Sequence, residues 1–368
     1  MWKVYQPVGI IFGEGEVDRI AEHMKQAGLS RGLILSDPFP AVLAISEQIK
    51  NNLGDNALSI TSDVEPNPTI QNVDNCASLA RNSDAQCLIA IGGGSTIDCA
   101  KLAAVAAKMG CTAKDIINGQ AITGGLPVIA IPTTAGTGSE VTAVTIVSDT
   151  ESGDKVPLVN PAYFPKLAIV DPKLTYSCPK GVTASSGIDV LMHAFDAMSS
   201  VKAGYVTDAL AMRAAKIVFD DLETVVKNGD DIGARERMSA ASLLAGLAFA
   251  QTGTTGSHAC SYYLTARYHV PHGEACAFTA AEWLKINVKG RPQLDVYAKE
   301  LGFKDVNDMA GALQKLNKAI GMRTTLEEVG IEESDMEEIC RKTATAANAP
   351  NNVVPITTEM VMDILRTK

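Results

Sequence analysis

The pattern of apolar residues changes once along the chain, and this change constrains the fold more than any other feature. Up to about residue 180, short β-rich runs alternate with amphipathic stretches of helical spacing, such as 17–27 and 96–108. Strand–helix alternation is typical of a parallel sheet that helices cover on both faces. The predicted strands are 32–36, 57–61, 87–91, 128–131 and 167–170.

Beyond residue 180 the β-branched runs become scarce, and helical spacing predominates. Helices are predicted at 210–226, 234–250, 293–301 and 305–320. A chain of 368 residues is also too long for one compact core. The sequence therefore predicts an α/β domain at residues 1–180, built on a parallel sheet, and an all-helical domain at 181–368.

Composition excludes several classes of function. The chain is 46% hydrophobic and 20% charged, as in ordinary globular proteins. No apolar run is long enough for a membrane span, and MWKVYQPVG does not resemble a signal peptide. A net charge of −10 without a basic, aromatic-rich patch argues against nucleic-acid binding. The eight cysteines are scattered without a CxxC pair, as expected of reduced thiols, so we predict a soluble cytoplasmic protein.

The stretch CLIAIGGGSTIDCAK joins a predicted strand to a predicted helix through three glycines. In this arrangement backbone N–H groups and a helix N-terminus can approach a phosphate. We expect Gly92, Gly93 and Gly94 to leave room for that approach and Ser95 to add a hydroxyl. The alternative is a tight turn that binds nothing.

Two further features favour a dinucleotide site. PTTAGTGSE, at 132–140, is a second loop rich in glycine and threonine that directly follows a strand. Asp37 ends the strand GLILS, where a carboxylate can accept hydrogen bonds from both ribose hydroxyls and would repel a 2′-phosphate. FGEGEVD fails the usual GxGxxG pattern, because Asp18 stands at the third glycine position. We therefore expect a Rossmann-like domain with altered topology that binds NAD(H).

The few histidines are concentrated in regions that also suit a metal. In GIDVLMHAFDA, Asp189 and His193 are four residues apart and share one face of a predicted helix. Ser185 or Ser186 is expected to cap that helix. A buried aspartate on an otherwise apolar helix also needs a partner.

The window HACSYYLTARYHVPHG supplies two more candidate ligands. His258 and His272 are separated by Pro271, so we expect them on different elements. One carboxylate and three imidazoles suit Fe²⁺ or Zn²⁺. The alternative is that these histidines are surface or core residues without a ligand. His269 is expected beside the site, and His23 is expected in solvent.

These motifs together resemble the iron-containing (group III) alcohol dehydrogenase family. The resemblance spans essentially the whole chain and rests on FGEG, GGGSTIDCAK, PTTAGTGSEVT, GIDVLMHAFDA, PHG and NNVVPIT. It implies an N-terminal dinucleotide-binding domain and a helical metal-binding domain. The metal ligands that it implies are Asp189, His193, His258 and His272. The nucleotide contacts that it implies are Asp37, Gly92, Gly93, Gly94, Ser95, Asp98, Thr133, Thr134, Thr137 and Lys155.

One departure from the family pattern concerns proton transfer. Many members carry a second histidine four residues after the first, and here that position is Tyr262. We expect Tyr262 or His269 to serve as the catalytic proton donor, with water as a further option. The alternative is that Tyr262 only packs.

The region around PHGEAC resembles the branch that contains 4-hydroxybutyrate dehydrogenases and phosphonoacetaldehyde reductases. This implies an NAD-dependent enzyme that transfers hydride between NAD(H) and a short primary alcohol or aldehyde with an anionic end. Arg267 and Lys155 are candidate partners for that anion, and a solvated surface position is the alternative for Arg267. Other hypotheses are a glycerol-dehydrogenase or dehydroquinate-synthase type of enzyme, and a non-catalytic NAD-binding protein with a structural metal. A homodimer is the expected assembly.

Overall fold

The computed structural model describes residues 3–151 and 153–368. The chain forms two compact units. One unit comprises Gln6–Cys178, and the other comprises Pro179–Lys368 with the N-terminal segment up to Tyr5. The change from strand–helix alternation to helices falls at this division, just before the boundary at 180/181 that the sequence pattern predicted.

The first unit combines strands and helices in alternation. Its strands are β1 (Gly9–Phe12), β2 (Gly32–Ser36), β3 (Ala57–Thr61), β4 (Cys87–Gly92), β5 (Val128–Pro132), β6 (Val144–Asp149), β7 (Asp154–Val159) and β8 (Leu167–Val170). Its helices are α1 (Ile20–Gln26), α2 (Pro40–Leu53), α3 (Ile70–Asn82), α4 (Gly94–Met109) and α5 (Ala113–Ile117).

Six of the strands form one parallel sheet in the order β1-β8-β5-β4-β2-β3. Its central strands are buried on both faces, which explains their unbroken apolar runs. Alternate side chains pack against opposite helical layers: Ile89 and Ile131 contact the layer that includes α2, whereas Leu88 and Ala130 contact the layer of α3 and α4. This doubly wound α/β architecture confirms the predicted fold class.

Three strands were not predicted. β1 is a four-residue strand that is partly exposed, so its sequence carries a weak apolar signal. β6 and β7 form a separate antiparallel hairpin, and β6 alternates half-buried and buried residues because only one of its faces is covered.

The second unit is helical. Its helices are α6 (Lys180–Met198), α7 (Tyr205–Lys227), α8 (Ile232–Thr252), α9 (Gly256–Tyr268), α10 (His272–Asn287), α11 (Gln293–Glu300), α12 (Val306–Ala319), α13 (Leu326–Val329), α14 (Glu333–Ala344) and α15 (Thr358–Leu365). Among the residues that the structure describes, no helix is both long and apolar enough to cross a membrane.

The helix that carries Asp189 begins earlier than predicted. Pro179 occupies the N-cap position of α6, and Ser185 and Ser186 lie inside the helix instead of capping it. The expectation that either serine caps this helix is therefore wrong. A proline disfavours the helical conformation in the residue before it, here Cys178. Pro179 therefore indicates where α6 begins better than the two serines do.

Candidate functional site

The carboxyl ends of three neighbouring strands bring the predicted nucleotide-binding residues to one edge of the sheet. β4 pairs with β2 through Ile91 and Ser36, and with β5 through Gly92 and Pro132. β3 lies on the far side of β2, so the strand order reverses between β2 and β4. Such a switch point is where doubly wound sheets bind ligands.

The glycines of the first loop are required by the protein's own packing as well as by any ligand. A Cβ on Gly92 would lie 2.3 Å from Thr96 Oγ1 and 3.0 Å from the Cβ of Asp37. A Cβ on Gly94 would lie 2.7 Å from a methyl group of Thr137. At Gly93, the N-cap of α4, a Cβ would make an ordinary contact of 3.4 Å with Thr134 Oγ1, so here the protein's own packing does not require glycine. This loop can receive a phosphate.

Asn67 connects two of the predicted nucleotide contacts, although its sequence context did not mark it as a site residue. It has a φ of 56°, which is rare outside glycine, and its amide donates to Ser95 Oγ at 3.1 Å. Its side-chain oxygen accepts a hydrogen bond of 2.7 Å from Lys155. Asparagine tolerates this conformation better than most residues, and the two hydrogen bonds tie Asn67 to Ser95 and Lys155.

Asp98 holds the second loop in place. Its carboxylate accepts hydrogen bonds from the Ser139 hydroxyl and from the amide of Ile146 at 3.0 Å. The buried ammonium group of Lys101 lies 3.7 Å from the same carboxylate and donates to Ser139 at 2.6 Å. These contacts position the loop; the contact of Asp98 with the nucleotide itself stays a prediction.

Asp37 stands beside the glycine loop, half-buried. Its amide donates to the carbonyl of Ile91 at 2.9 Å, and its Oδ1 accepts a hydrogen bond of 2.9 Å from the amide of Phe39. The carboxylate is thereby fixed at the end of β2, next to Gly92. This arrangement suits the recognition of ribose hydroxyls.

In the helical unit, four side chains from three helices bring their donor atoms together. Asp189 on α6, His258 on α9, and His272 and Cys276 on α10 each place one donor atom within 4.8 Å of the others. Asp189, His258 and Cys276 are buried, and His272 is half-buried. Three of the four predicted metal ligands thus lie in one cluster.

Gly273 explains how α10 comes close enough to α6. A Cβ at this position would lie 1.9 Å from the backbone oxygen of Ser185 and 2.8 Å from the Cβ of Asp189. Only glycine allows the first turn of α10 to lie against α6 in this way. His272, the preceding residue, is brought to Asp189 as a result.

His193 lies beside this cluster. Its Nδ1 is 3.9 Å from Asp189 Oδ2, and its ring stacks on Phe249 with centroids 4.1 Å apart and on His258 with centroids 4.6 Å apart. Its position next to Asp189 agrees with the spacing of four residues on one helix. Its role as a metal ligand stays a prediction.

Asp196 orients His258, although its sequence context did not mark it as a site residue. Its Oδ2 lies 2.8 Å from His258 Nδ1 and accepts a hydrogen bond of 2.6 Å from the amide of Thr255. Ser257 donates to its other oxygen at 2.7 Å. A carboxylate at Nδ1 leaves Nε2 directed at Asp189, as in carboxylate–histidine–metal arrangements. Asp196 lies two helical turns beyond Asp189, a spacing that could have revealed it.

Two donor atoms of the cluster are buried and lack a hydrogen-bond partner among the described residues: Asp189 Oδ1 and His258 Nε2, 3.5 Å apart. Burial opposes the ionisation of Asp189, but the charges of His193 and His272 hold its pKa below the usual value. Buried polar atoms of this kind need a partner. A divalent cation between them would supply it, so the donor set fits a metal.

The other predicted catalytic residues lie in different surroundings. Tyr262 follows His258 by one turn of α9 and is half-buried, and burial raises the pKa of its hydroxyl. His269 caps the C-terminus of α9 with a φ of 53° and is exposed, as is Arg267. The charge of His258 acts on the pKa of the Tyr262 hydroxyl, so these two groups are close, whereas His269 is exposed at the end of the helix.

A sheet edge that suits a nucleotide, together with a buried carboxylate–imidazole cluster that suits a metal, is typical of metal-dependent dehydrogenases. Comparison with known proteins gives the family. Residues 7–172 match the iron-containing alcohol dehydrogenase family, and residues 183–368 match the C-terminal domain of the Fe-containing alcohol dehydrogenase family. The chain belongs to the iron-containing alcohol dehydrogenase family, which confirms the resemblance and makes it an oxidoreductase of alcohols and aldehydes.

Individual relatives agree. The 1-propanol dehydrogenase PduQ of Salmonella typhimurium is 38% identical over 283 residues, covering 75% of this chain and 74% of the relative. Alcohol dehydrogenase 4 of Saccharomyces cerevisiae is 31% identical and covers 98% of this chain and 97% of its own length. The sulfoacetaldehyde reductase of Bifidobacterium kashiwanohense, solved with NAD⁺, has a TM-score of 0.95 at 37% identity and covers 100% of this chain and 98% of its own.

Proposed function

We propose that this enzyme transfers hydride between NAD(H) and a short primary aldehyde or alcohol whose far end is anionic. The observation that carries the metal-dependent activity is the buried cluster around Asp189 and His258, whose two unpartnered donor atoms fit a cation. Carboxylate and imidazole donors suit Fe²⁺, the metal of the family name, and Zn²⁺ is the alternative.

The α/β unit holds the nucleotide. Gly93 and the N-terminus of α4 receive the phosphates, with Ser95, Thr133, Thr134 and Thr137 around them. Asp37 accepts hydrogen bonds from the adenosine ribose hydroxyls and thereby selects NAD(H) over NADP(H). The bound nucleotide supplies or accepts the hydride.

The helical unit holds the metal through Asp189, His193, His258 and His272. A divalent ion held by these residues would supply Lewis-acid chemistry for the substrate oxygen. Asp196 keeps the Nε2 atom of His258 directed towards the cluster. Burial of Asp189 and His258 excludes water from these donors.

Tyr262 transfers the proton to or from the substrate oxygen in our proposal. It occupies the position at which many family members carry a histidine, and it follows His258 by one turn of α9. A phenol can both donate and accept a hydrogen bond, as the two directions of the reaction require. The exposed position of His269 makes it the weaker candidate.

The anionic end of the substrate is inferred from the sulfoacetaldehyde reductase, which is similar along the whole chain. Its named substrate is an aldehyde with a sulfonate. Arg267 and Lys155 remain the candidate partners for such an anion.

A substrate panel tests the proposal. Enzyme reconstituted anaerobically with Fe²⁺ is mixed with NADH and one short aldehyde at a time. The anionic aldehydes are sulfoacetaldehyde, phosphonoacetaldehyde and succinic semialdehyde, and the neutral ones are propanal and butanal. We expect kcat/KM to be at least about tenfold higher for the anionic members, equal to about 1.4 kcal/mol of transition-state binding. Equal or higher values for the neutral aldehydes would contradict the anionic substrate class, and no NADH oxidation with any of them would contradict the activity.

A further inference from the structure

Cys276 is a donor that the predicted ligand set does not contain. It follows His272 by four residues on α10, so both side chains lie on one helix face. Its sulfur lies 3.8 Å from Nε2 and 4.0 Å from Nδ1 of His272. It is completely buried and belongs to the cluster whose donor atoms lie within 4.8 Å of one another.

The surroundings of Cys276 distinguish it from a cysteine that only packs. A buried cysteine is commonly a small apolar core residue, and Cys340 packs in this way in the apolar core of the helical unit. Cys276 instead faces two imidazoles and a carboxylate. Two atoms of those neighbours, Asp189 Oδ1 and His258 Nε2, are buried without a hydrogen-bond partner in the described part of the chain.

We propose that the Cys276 thiolate is a further ligand of the divalent ion that the proposed function assigns to Asp189, His193, His258 and His272. The inference rests on the metal-dependent function proposed above and adds a sulfur donor to it. When the ion binds, the S–H bond breaks, a sulfur–metal bond forms and the proton passes to solvent. The negative charges of Cys276 and Asp189 then balance the ion, which lowers the cost of holding a divalent charge in a buried site. A thiolate also increases the preference for a softer metal such as zinc.

Cobalt spectroscopy tests the ligand directly, without reference to activity. The full-length protein is freed of metal with a chelator and titrated with Co²⁺ under anaerobic conditions. Visible d–d bands report binding of cobalt, and a near-ultraviolet charge-transfer band reports a cobalt–thiolate bond. We expect the wild-type protein to show both, and Cys276→Ser to keep the d–d bands but lose the charge-transfer band.

Cys340→Ser is the matched control, because this buried cysteine lies in the same unit but outside the cluster. We expect it to keep both bands. Visible bands without a charge-transfer band in the wild type would overturn the ligation by Cys276 and leave the metal site intact. A charge-transfer band that survives in Cys276→Ser would overturn it too, and no cobalt binding by the wild type would overturn the metal site as well. If Cys276→Ser fails to fold, Cys276→Ala gives the same comparison, and a wild type without the charge-transfer band overturns the ligation without any variant.

Discussion

At the scale of single residues, the charge of Asp37 should decide between the two dinucleotides. A 2′-phosphate at ~5 Å from this carboxylate, at an effective dielectric constant of ~20, costs about 3 kcal/mol per pair of unit charges. Asp37→Gly should therefore raise kcat/KM with NADPH and lower it with NADH. Steady-state kinetics with both nucleotides measure this, and Asp37→Asn, which keeps the shape but not the charge, should show the same gain. No gain with NADPH in either variant would refute the role of Asp37.

Tyr262 can be tested in the same way. Removing its hydroxyl in Tyr262→Phe should lower kcat by about 10²-fold or more, since general acid–base catalysis contributes that much, and should leave the metal content unchanged. Tyr263→Phe is the control, because Tyr263 packs against Tyr268 with ring centroids 6.3 Å apart. Unchanged kcat in Tyr262→Phe would show that this tyrosine only packs.

Residue types and spacing predicted part of the metal cluster. Asp189, His258 and His272 lie together as expected, because a carboxylate on an apolar helix needs a partner and the clustered histidines could supply one. Asp196 and Cys276 were missed because neither residue type is rare enough to stand out without knowledge of which helices pack together. His23, which was expected in solvent, is buried, and its Nε2 lies 2.9 Å from Glu16. That expectation was wrong because one partner can stabilise a histidine in the core.

At the scale of helices and loops, the contact between α10 and α6 depends on Gly273. Gly273→Ala would place a methyl group 1.9 Å from the backbone oxygen of Ser185, so α10 must move away from α6. We expect a loss of about 1–3 kcal/mol in the free energy of unfolding, and weaker metal binding because His272 moves with the helix. Denaturant unfolding and metal titration measure the two effects.

Gly311→Ala is the control for Gly273→Ala. Gly311 lies within α12, and a Cβ there would meet nothing within 4 Å. Alanine at this position should stabilise the helix by up to about 1 kcal/mol and leave metal affinity unchanged. Equal behaviour of the two variants would contradict the importance of the close approach.

The second loop depends on Lys101. Burial lowers the pKa of this lysine to about 8, although the charges of Asp98 and Glu140 act in the opposite direction. In the unfolded chain a lysine keeps its proton up to about 10.5. Between these pH values the unfolded state binds more protons, so the free energy of unfolding should rise with pH. Lys101→Met removes this contribution. Between pH 8 and pH 10.5 the free energy of unfolding of the wild type should therefore rise by about 3 kcal/mol relative to that of the variant. Urea unfolding at several pH values measures it, and parallel profiles would contradict the burial of a titrating lysine.

Strands and helices were predictable where their environment is uniform. The central strands lie in the core on both faces, so continuous apolar runs revealed them. The β6–β7 hairpin and the start of α6 were not predicted, since their signals depend on contacts that are made only in the folded protein.

At the scale of the whole molecule, the change from strand–helix alternation to helices was enough to predict an α/β unit followed by a helical unit. The long, ordered motifs then led to the family, which the comparisons confirm. A sequence pattern reports burial, but it carries little information on assembly, so the expected homodimer stays a prediction.

Metal dependence is the central claim, and its most direct measurement is turnover against bound Fe²⁺. Metal-free enzyme is titrated with Fe²⁺ in the absence of oxygen, and NADH oxidation with a short aldehyde is followed at each step. We expect no turnover without metal, and a rate that rises in proportion to bound metal up to about one ion per chain. The variant His258→Ala should neither bind the ion tightly nor turn over substrate. Full turnover in a sample shown to contain no metal would contradict the account.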